Sequence, residues 1–132
     1  MKKIKNLLLI DDDYPTNFLH EIILKDSGLV ENISSCTSVD DGIAFIKKSY
    51  EEGNSPELIF IDINIPAKNG FVFVEEFDNL DEAIKSKSIV LMFSTSQNPK
   101  DVKKSESYKT IKDMLIKPLD ENIMKTLIEK FF

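Results

Sequence analysis

Polar side chains follow four apolar runs of this chain, each at the point where the run ends. The runs cover residues 7–10, 58–61, 89–93 and 114–116, and the polar residues after them are Asp11, Asp12, Asp13, Asp62, Ser94 and Lys117. If the runs are parallel strands, their carboxyl ends meet at one edge of a sheet, where open α/β folds place their sites. Carboxylates, a hydroxyl and an ammonium gathered there indicate phosphoryl transfer to an aspartate, assisted by a divalent metal ion.

Several carboxylates at one edge require a counter-charge. Two carboxylates about 4 Å apart repel each other by roughly 4 kcal/mol at an effective dielectric constant of about 20. Asp11, Asp12 and Asp62 therefore need a cation, and a hard divalent ion with oxygen ligands suits them. Mg²⁺, which keeps part of its water shell, is the cofactor that these residues predict.

The other polar groups fit the same chemistry. Asp62, held against the metal ion, is the candidate nucleophile and would form an acyl phosphate. Lys117 offers a second fixed positive charge for the phosphoryl group, and Ser94 offers a hydroxyl donor to one of its oxygens. Asp13 is interpreted instead as an acid at the N-terminus of a helix, where it interacts favourably with the helix dipole.

Strand-like and helix-like segments alternate along the chain. Strands are predicted at residues 6–11, 32–37, 58–62, 88–94 and 112–116, and helices are predicted to begin near Pro15, Ser38, Phe71, Pro99 and Asp120. Five strands alternating with five helices predict an α/β domain with a parallel sheet and right-handed crossovers. The strand at 32–37 is the most polar and is placed at an edge of the sheet. In the first helix, Ile22 and Ile23 are expected to face the core.

The composition limits the class of protein. The 132 residues, of which 42% are hydrophobic, suit one folded domain over residues 1–132. A net charge of −6 argues against a nucleic-acid partner, because nucleic-acid-binding modules usually carry a basic patch. The single cysteine, Cys36, fits a reducing compartment. No apolar run approaches the roughly 18 residues of a membrane span, so we expect a cytoplasmic protein with no membrane partner.

At these residues the chain resembles the receiver domain of two-component response regulators. The motifs that carry the resemblance are residues 9–13, residues 58–66 with Asn69 and Gly70, residues 90–94, and Lys117 with Pro118. Each motif alone is modest, but four of them in the family's order and spacing are specific, and they span essentially the whole chain. The resemblance implies a flavodoxin-like, doubly wound fold with strand order 2-1-3-4-5. It also implies a single receiver domain that takes a phosphoryl group from a histidine kinase or a phosphotransfer protein and signals through altered protein contacts.

The resemblance further assigns roles to individual residues. Asp62 would be the phosphoacceptor, Asp12 would bind Mg²⁺ directly, and Asp11 would bind it mainly through water. The backbone carbonyl of Asn64 would complete the protein ligands of the metal ion. Such a protein is a phosphoacceptor switch, with at most slow self-dephosphorylation, rather than an enzyme.

By the same resemblance, Ser94 and Lys117 would hold the phosphoryl group, and the bond between Lys117 and Pro118 would be cis. Three positions depart from the family's usual pattern. Ser94 stands where threonine is more usual, and Thr95 stands where a small residue is favoured, which would narrow access to the acceptor. Met114 stands where many receivers carry an aromatic side chain that turns inward on activation. Weaker or different coupling to the last two helices is therefore expected.

Two other functions fit parts of the pattern. A receiver-like interaction module that is never phosphorylated would keep the fold without the chemistry. A small Mg²⁺-dependent phosphohydrolase of the haloacid-dehalogenase-like group would share the aspartyl phosphate, but such enzymes usually carry a second acid where this chain has Asn64.

The only histidine, His20, is expected to be an exposed residue of the first helix rather than a phosphohistidine. The downstream target stays open, and the oligomeric state is expected to be a monomer or a weak dimer.

Overall fold

A computed structural model describes residues 2–95 and 98–132. Five parallel strands form one sheet in the order β2-β1-β3-β4-β5, which confirms the predicted topology. The strands are β1 (Ile4–Ile10), β2 (Val30–Cys36), β3 (Leu58–Asp62), β4 (Ile89–Ser94) and β5 (Ile111–Ile116). Their bounds lie within two residues of the predicted ones.

The apolar runs form the centre of the sheet because helices cover both of its faces. All five residues of β3 are buried, and in β1 only Lys5 and Asn6 are not. The half-polar strand β2 lies at the edge beside β1, as predicted. Ile61 is paired with Ile10 of β1, and Asp62 is paired with Phe93 of β4. The carboxyl ends of these three strands are therefore level with one another.

The helices are α1 (Tyr14–Ser27), α2 (Val39–Glu51), α3 (Gly70–Asp78), α4 (Glu82–Lys85), α5 (Pro99–Glu106) and α6 (Glu121–Phe131). Within residues 2–95 and 98–132 there are thus six helices, one more than the sequence predicted. The additional helix is α4, which has only four residues. A helix of one turn is too short to show the periodic apolar spacing by which longer helices are recognised.

Local hydrogen bonds determine where the helices start. The Asp13 carboxylate accepts a hydrogen bond from the Thr16 amide at 3.1 Å, which caps α1 and agrees with the predicted role of Asp13. Pro15 lies in the first turn of α1, and Gly28 ends this helix in the left-handed conformation with φ of 70°. Side chains of the same kind cap four other helices, namely Ser38, Asn69, Asn98 and Asp120.

The core has two layers, one on each face of the sheet. Side chains of α1 and α6 pack with Phe60 and Leu91 on one face, whereas side chains of α2 and α3 pack with Ile59 and Met92 on the other. This division follows from the strand geometry, in which neighbouring residues point to opposite faces. In the part of the chain that the structure describes, no helix is long and apolar enough to cross a membrane.

Helix α1 is rotated relative to the sequence prediction. Its buried residues are Asn17, His20 and Leu24, which share one face. The expectations that His20 is exposed and that Ile22 faces the core are therefore wrong, since His20 is only 2% exposed. The two polar residues face inward because each makes a hydrogen bond to a backbone group there. The opposite side, which we call the α1 apolar face, consists of Tyr14 (72% exposed), Phe18 (55%), Leu19 (47%) and Ile22 (41%).

Candidate functional site

Three predicted carboxylates meet at the carboxyl edge of the sheet. One oxygen from each of Asp11, Asp12 and Asp62 lies within 4.8 Å of the others. Asp11 and Asp62 are buried, whereas Asp12 is exposed at the rim. The parallel arrangement of β1 and β3 is what places residues so far apart in sequence at one point. The result is an acidic cluster with two buried carboxylates and a third open to solvent, and we call this cluster the pocket.

Lys117 enters this pocket from the loop after β5. Its Nζ lies 2.5 Å from Asp11 Oδ2 and 3.1 Å from Asp62 Oδ1, and all three side chains are largely buried. The peptide bond between Lys117 and Pro118 is cis, in agreement with the expectation from the family resemblance. The sequence prediction thus identified both the ammonium and the carboxylates that it contacts.

The charges of the pocket do not balance. Three carboxylates and one ammonium give it a formal charge of −2. Burial raises the pKa of the Asp62 carboxyl above its ordinary value, and the charges of Asp11 and Asp12 add to this rise, while Lys117 opposes it. Burial would lower the pKa of Lys117, but the hydrogen bonds to Asp11 and Asp62 and the negative charges of these two carboxylates together outweigh burial and raise it. The pocket therefore favours the binding of further positive charge.

The remaining predicted residues lie around this cluster. Ser94 is buried at the end of β4, and its carbonyl oxygen accepts a hydrogen bond from the Lys117 amide at 2.9 Å. Thr95 is exposed directly after it, and Asn64 is exposed in the loop that follows β3. Met114 is half buried in β5 and packs against the core layer that contains α2 and α3. Sequence reasoning placed Ser94 at the carboxyl edge from the strand pattern, whereas Asn64, Thr95 and Met114 were singled out through the family resemblance.

Asn17 is a residue of the site that the sequence prediction did not identify. Its Nδ2 donates hydrogen bonds to the carbonyl oxygens of Asp11, at 2.9 Å, and Cys36, at 3.4 Å. The Asp11 amide also donates to the Cys36 carbonyl at 3.1 Å. Asn17 thereby fixes the backbone directly after β1, at the residue that bears the Asp11 carboxylate. The sequence feature that could have identified Asn17 is its spacing from His20 and Leu24, which places all three residues on one face of α1.

Gly70 allows helix α3 to start in contact with the backbone of Asp62. A Cβ atom on Gly70 would lie 2.7 Å from the Asp62 carbonyl oxygen and 3.0 Å from Ile63 Cα. The Gly70 amide also donates a hydrogen bond to the Ile63 carbonyl at 3.1 Å. Because the obstructing atoms belong to the backbone, a side chain at position 70 would displace the residue that bears the central carboxylate.

We expect Gly70→Ala to lower the free energy of unfolding by about 2 kcal/mol, since overpacking of this kind forces the backbone to move. Urea denaturation measures this change. The matched control is Gly42→Ala in α2, whose Cβ would meet the end of the Ile10 side chain at 2.6 Å. That side chain can rotate away, and alanine favours the helix, so we expect little or no loss there. Equal losses in the two variants would contradict the special role of Gly70.

Lys68 holds the loop that contains Asn64. Its Nζ lies 2.6 Å from Asp40 Oδ1 of α2 and 3.0 Å from Glu76 Oε2 of α3, and all three side chains are partly or fully exposed. The preceding residue, Ala67, adopts a φ of 68°, a conformation that favours glycine. Two ion pairs therefore link this loop, which contains one residue in an unfavourable backbone conformation, to both neighbouring helices.

Comparison with known proteins identifies the class to which this fold and site belong. The family model described as the response regulator receiver domain matches residues 7–129. The chain therefore belongs to the response regulator receiver domain family, whose members act as phosphoacceptors in two-component signalling. No curated protein sequence matched the chain.

Solved structures agree with this assignment. The chain is similar to a two-component response regulator from Cytophaga hutchinsonii, with 37% identity and a TM-score of 0.90 over 98% of this chain and 97% of that one. A response regulator receiver protein from Dyadobacter fermentans has 24% identity and a TM-score of 0.86 over 96% of each chain. The chemotaxis response regulator CheY4 of Vibrio cholerae has 18% identity and a TM-score of 0.77, with 98% and 100% covered. The last two likenesses show the fold alone.

Proposed function

We propose that this protein, with residues 1–132 as one receiver domain, is a phosphorylation switch that accepts a phosphoryl group on Asp62. The observation that carries the proposal is the buried Asp62 carboxylate, 3.1 Å from the Lys117 ammonium and within 4.8 Å of the Asp11 and Asp12 carboxylates. The proposed donor is the phosphohistidine of a histidine kinase or a phosphotransfer protein. Transfer from such a donor agrees with membership of the receiver family.

Mg²⁺ is the proposed cofactor, and the residues present fit it. The pocket offers carboxylate oxygens and a formal charge of −2, which a divalent cation with a preference for oxygen ligands would neutralise. Asp12, Asp62 and the carbonyl of Asn64 would hold the ion directly, and Asp11 would hold it mainly through water. The bound ion would neutralise phosphoryl oxygens as charge develops on them.

The protein groups have separate tasks in the transfer. An oxygen of Asp62 attacks phosphorus while the bond from phosphorus to the donor imidazole nitrogen breaks, and that nitrogen keeps the electron pair and takes a proton. The Lys117 ammonium, already 3.1 Å from Asp62 Oδ1, would bind an oxygen of the transferred group. The Ser94 hydroxyl would donate a hydrogen bond to another of these oxygens. The product is an acyl phosphate on Asp62.

The α1 apolar face is the proposed docking surface of the phosphodonor. The donor histidine has to reach Asp62, so the donor must cover the rim of the pocket. Helix α1 begins two residues after Asp12 at this rim, and it exposes Tyr14 and Phe18 to solvent there. Large exposed apolar side chains grouped on one helix face mark an interaction surface. A donor helix with an apolar side is the partner that fits it.

Phe18→Ser is expected to lower kcat/KM for transfer from a phosphohistidine-bearing phosphotransfer protein by about 10-fold or more, since aromatic side chains dominate such interfaces. Phe18 is more than half exposed, so the fold should keep its stability within about 0.5 kcal/mol. Phosphorylation by acetyl phosphate provides the control, because this small donor needs no docking surface. A variant that is slowed equally with both donors, or with neither, would contradict the assignment.

Signalling is proposed to run through the surface made by α5, β5 and α6. A phosphoryl group adds roughly −1.5 to −2 charge at neutral pH and would draw Ser94 and Lys117 towards it. Both residues lie at the ends of strands that border this surface. Helix α5 is weakly anchored, since Ser105 is its only buried residue among those that the structure describes. A small shift at the pocket would therefore move this helix more readily than its neighbours.

The experiment that tests the proposed function is amide NMR with beryllofluoride, which mimics a phosphoryl group on aspartate, added together with Mg²⁺. In the wild type, Mg²⁺ alone is expected to shift resonances near residues 11–13 and 62–64, and the further addition of beryllofluoride is expected to extend the shifts to residues 94 and 117. Beryllofluoride without Mg²⁺ is expected to have no effect. The spread of the shifts outlines the signalling surface. No shift in the wild type would refute the proposal and would favour a module that binds partners without phosphorylation.

A further inference from the structure

His20 contacts two segments of the site from the inner face of α1. Its Nε2 accepts a hydrogen bond from the Leu119 backbone N–H at 3.3 Å. Its ring stacks on the ring of Phe93, with centroids 5.4 Å apart and an angle of 27° between the planes. Both contacts are buried, and neither partner belongs to α1. His20, which the sequence predicted to be exposed, thus connects α1 to β4 and to the loop after β5.

The two segments that His20 contacts carry the residues proposed to hold the phosphoryl group. Phe93 directly precedes Ser94, and Leu119 lies two residues after Lys117. The Lys117 amide donates to the Ser94 carbonyl at 2.9 Å, so the two segments are also joined to each other. The position of the Lys117 ammonium depends on the backbone from 117 to 119. His20 is the hydrogen-bond acceptor for the last N–H of that segment.

The contact requires a neutral imidazole. A ring that accepts at Nε2 carries its proton on Nδ1, because the protonated form is a donor at both nitrogens. Burial lowers the pKa of His20 below its ordinary value, the charge of Lys117 lowers it further, and Asp11 opposes the change. The neighbour from β4 is the uncharged ring of Phe93. The surroundings thus favour the form of His20 that the hydrogen bond needs.

We propose that His20 is a positioning residue for phosphoryl transfer, which fixes the backbone after Lys117 and so holds the Lys117 ammonium at Asp62. The inference rests on the proposed function, since it concerns the same acceptor. It assigns a role in the chemistry to a side chain that touches neither the phosphoryl group nor the metal ion. Because the role depends on one acceptor atom, Nε2, substitutions can distinguish it from the packing contribution of the ring.

Two substitutions separate the acceptor atom from the volume of the ring. His20→Gln places an amide oxygen near the position of Nε2 and keeps an acceptor for the Leu119 N–H. His20→Leu fills a similar space without any acceptor. We expect the leucine variant to be phosphorylated by acetyl phosphate at saturating Mg²⁺ about 10-fold or more slowly than the wild type, because small misplacements of catalytic groups are costly. The glutamine variant is expected to recover to within about 3-fold of the wild-type rate.

The readouts are the rate of acyl phosphate formation by intact mass and the dissociation constant of Mg²⁺. A positioning role predicts a slower rate without weaker Mg²⁺ binding, since the metal ligands are unchanged and a displaced Lys117 ammonium no longer opposes the ion. Urea denaturation confirms that each variant is folded under the assay conditions. Full activity of a folded leucine variant, or equal loss in the glutamine and leucine variants, would overturn the proposal.

A second measurement keeps the proposal testable if the leucine variant does not fold. His20 is the only histidine of the chain, so its ring nitrogens give a single pair of ¹⁵N signals. We expect the neutral ring with the proton on Nδ1 in the wild type, and a shift of the Nε2 signal when beryllofluoride and Mg²⁺ are added. The opposite tautomer would overturn the proposal. If instead the wild type forms no acyl phosphate at all, the proposed function itself fails, and the two failures are distinguishable.

Discussion

Asp62→Asn is expected to form no acyl phosphate when the protein is incubated with acetyl phosphate and Mg²⁺. The amide lacks the anionic oxygen that attacks phosphorus, so the rate should fall by at least about 10³-fold. Intact mass spectrometry measures the outcome, with the wild type gaining one phosphoryl group and the variant gaining none. Phosphorylation of the variant at the wild-type rate would place the acceptor elsewhere and overturn the proposed function.

Asp13→Asn is the matched control for this substitution. Asp13 is an exposed acid next to the same cluster, but its carboxylate caps α1 through the Thr16 amide instead of joining the pocket. Asparagine caps helices as well as aspartate does, so the fold should be unaffected. We expect wild-type phosphorylation in this variant. A large loss would mean that any nearby negative charge matters, rather than the specific position of Asp62.

The same Asp62→Asn variant should be more stable than the wild type in the absence of divalent ions. The pKa of Asp62 is raised in the fold, chiefly by burial, so the folded protein holds this proton more tightly than the unfolded chain does. The contribution of Asp62 to stability is therefore greatest at acidic pH and is lost as the pH rises through the folded pKa. Urea denaturation should show the largest gain for the variant at neutral pH and a smaller gain below the ordinary aspartate pKa.

Lys117→Met is expected to reduce both the stability of the metal-free protein and the rate of phosphorylation. Lys117 contacts Asp11 and Asp62 in a largely buried pocket, and its removal leaves two carboxylates without their counter-charge. Breaking a pair of this kind costs about 3 kcal/mol. The loss of one positive group at the transferred phosphoryl should slow the reaction by about 10²-fold. Urea denaturation in a chelator and the rate with acetyl phosphate measure the two effects.

Two further variants decide whether the loss comes from the pocket. Lys125→Met removes an exposed lysine of α6 that lies 3.6 Å from Glu121, and such surface pairs contribute less than about 1 kcal/mol. Adding Asp62→Asn to Lys117→Met removes one of the orphaned carboxylates, and the double variant should regain at least about 1 kcal/mol relative to Lys117→Met. If the double variant is no more stable than Lys117→Met, the stabilising effect of Lys117 does not come from its pairing with Asp62.

The sheet was predictable because its signals are local. Four apolar runs of strand length, each ended by a polar residue, indicate buried parallel strands without reference to the rest of the chain. Helix α1 shows where this reasoning fails. Ile22 was assigned to the core by hydrophobicity alone, yet the buried face contains Asn17 and His20, which form hydrogen bonds with backbone groups in the core. Hydrophobic pattern does not reveal a buried polar side chain whose partner lies on a distant segment.

The candidate site likewise contains residues whose position could be predicted from the sequence and residues whose position could not. Asp11, Asp62 and Lys117 follow strand ends, and strand ends of a parallel sheet share one edge, so their meeting was predictable. The contribution of Gly70 was not, because it depends on how closely α3 approaches the backbone of Asp62. Such close approaches arise from the packing of whole elements and leave no mark in the spacing of residues.

The ion pairs of Lys68 give the two halves of the site different sensitivities to the solvent. The partners of Lys68 are Asp40 and Glu76 at the surface, and interactions between exposed charges weaken as the Debye length falls from about 10 Å at 0.1 M salt to about 3 Å at 1 M. The pair between Lys117 and Asp62 is largely buried and is screened much less. Rising ionic strength should therefore leave the carboxylate pocket assembled while loosening the loop that bears Asn64. In the metal-free protein, the order of that loop would then depend on the salt content of the medium.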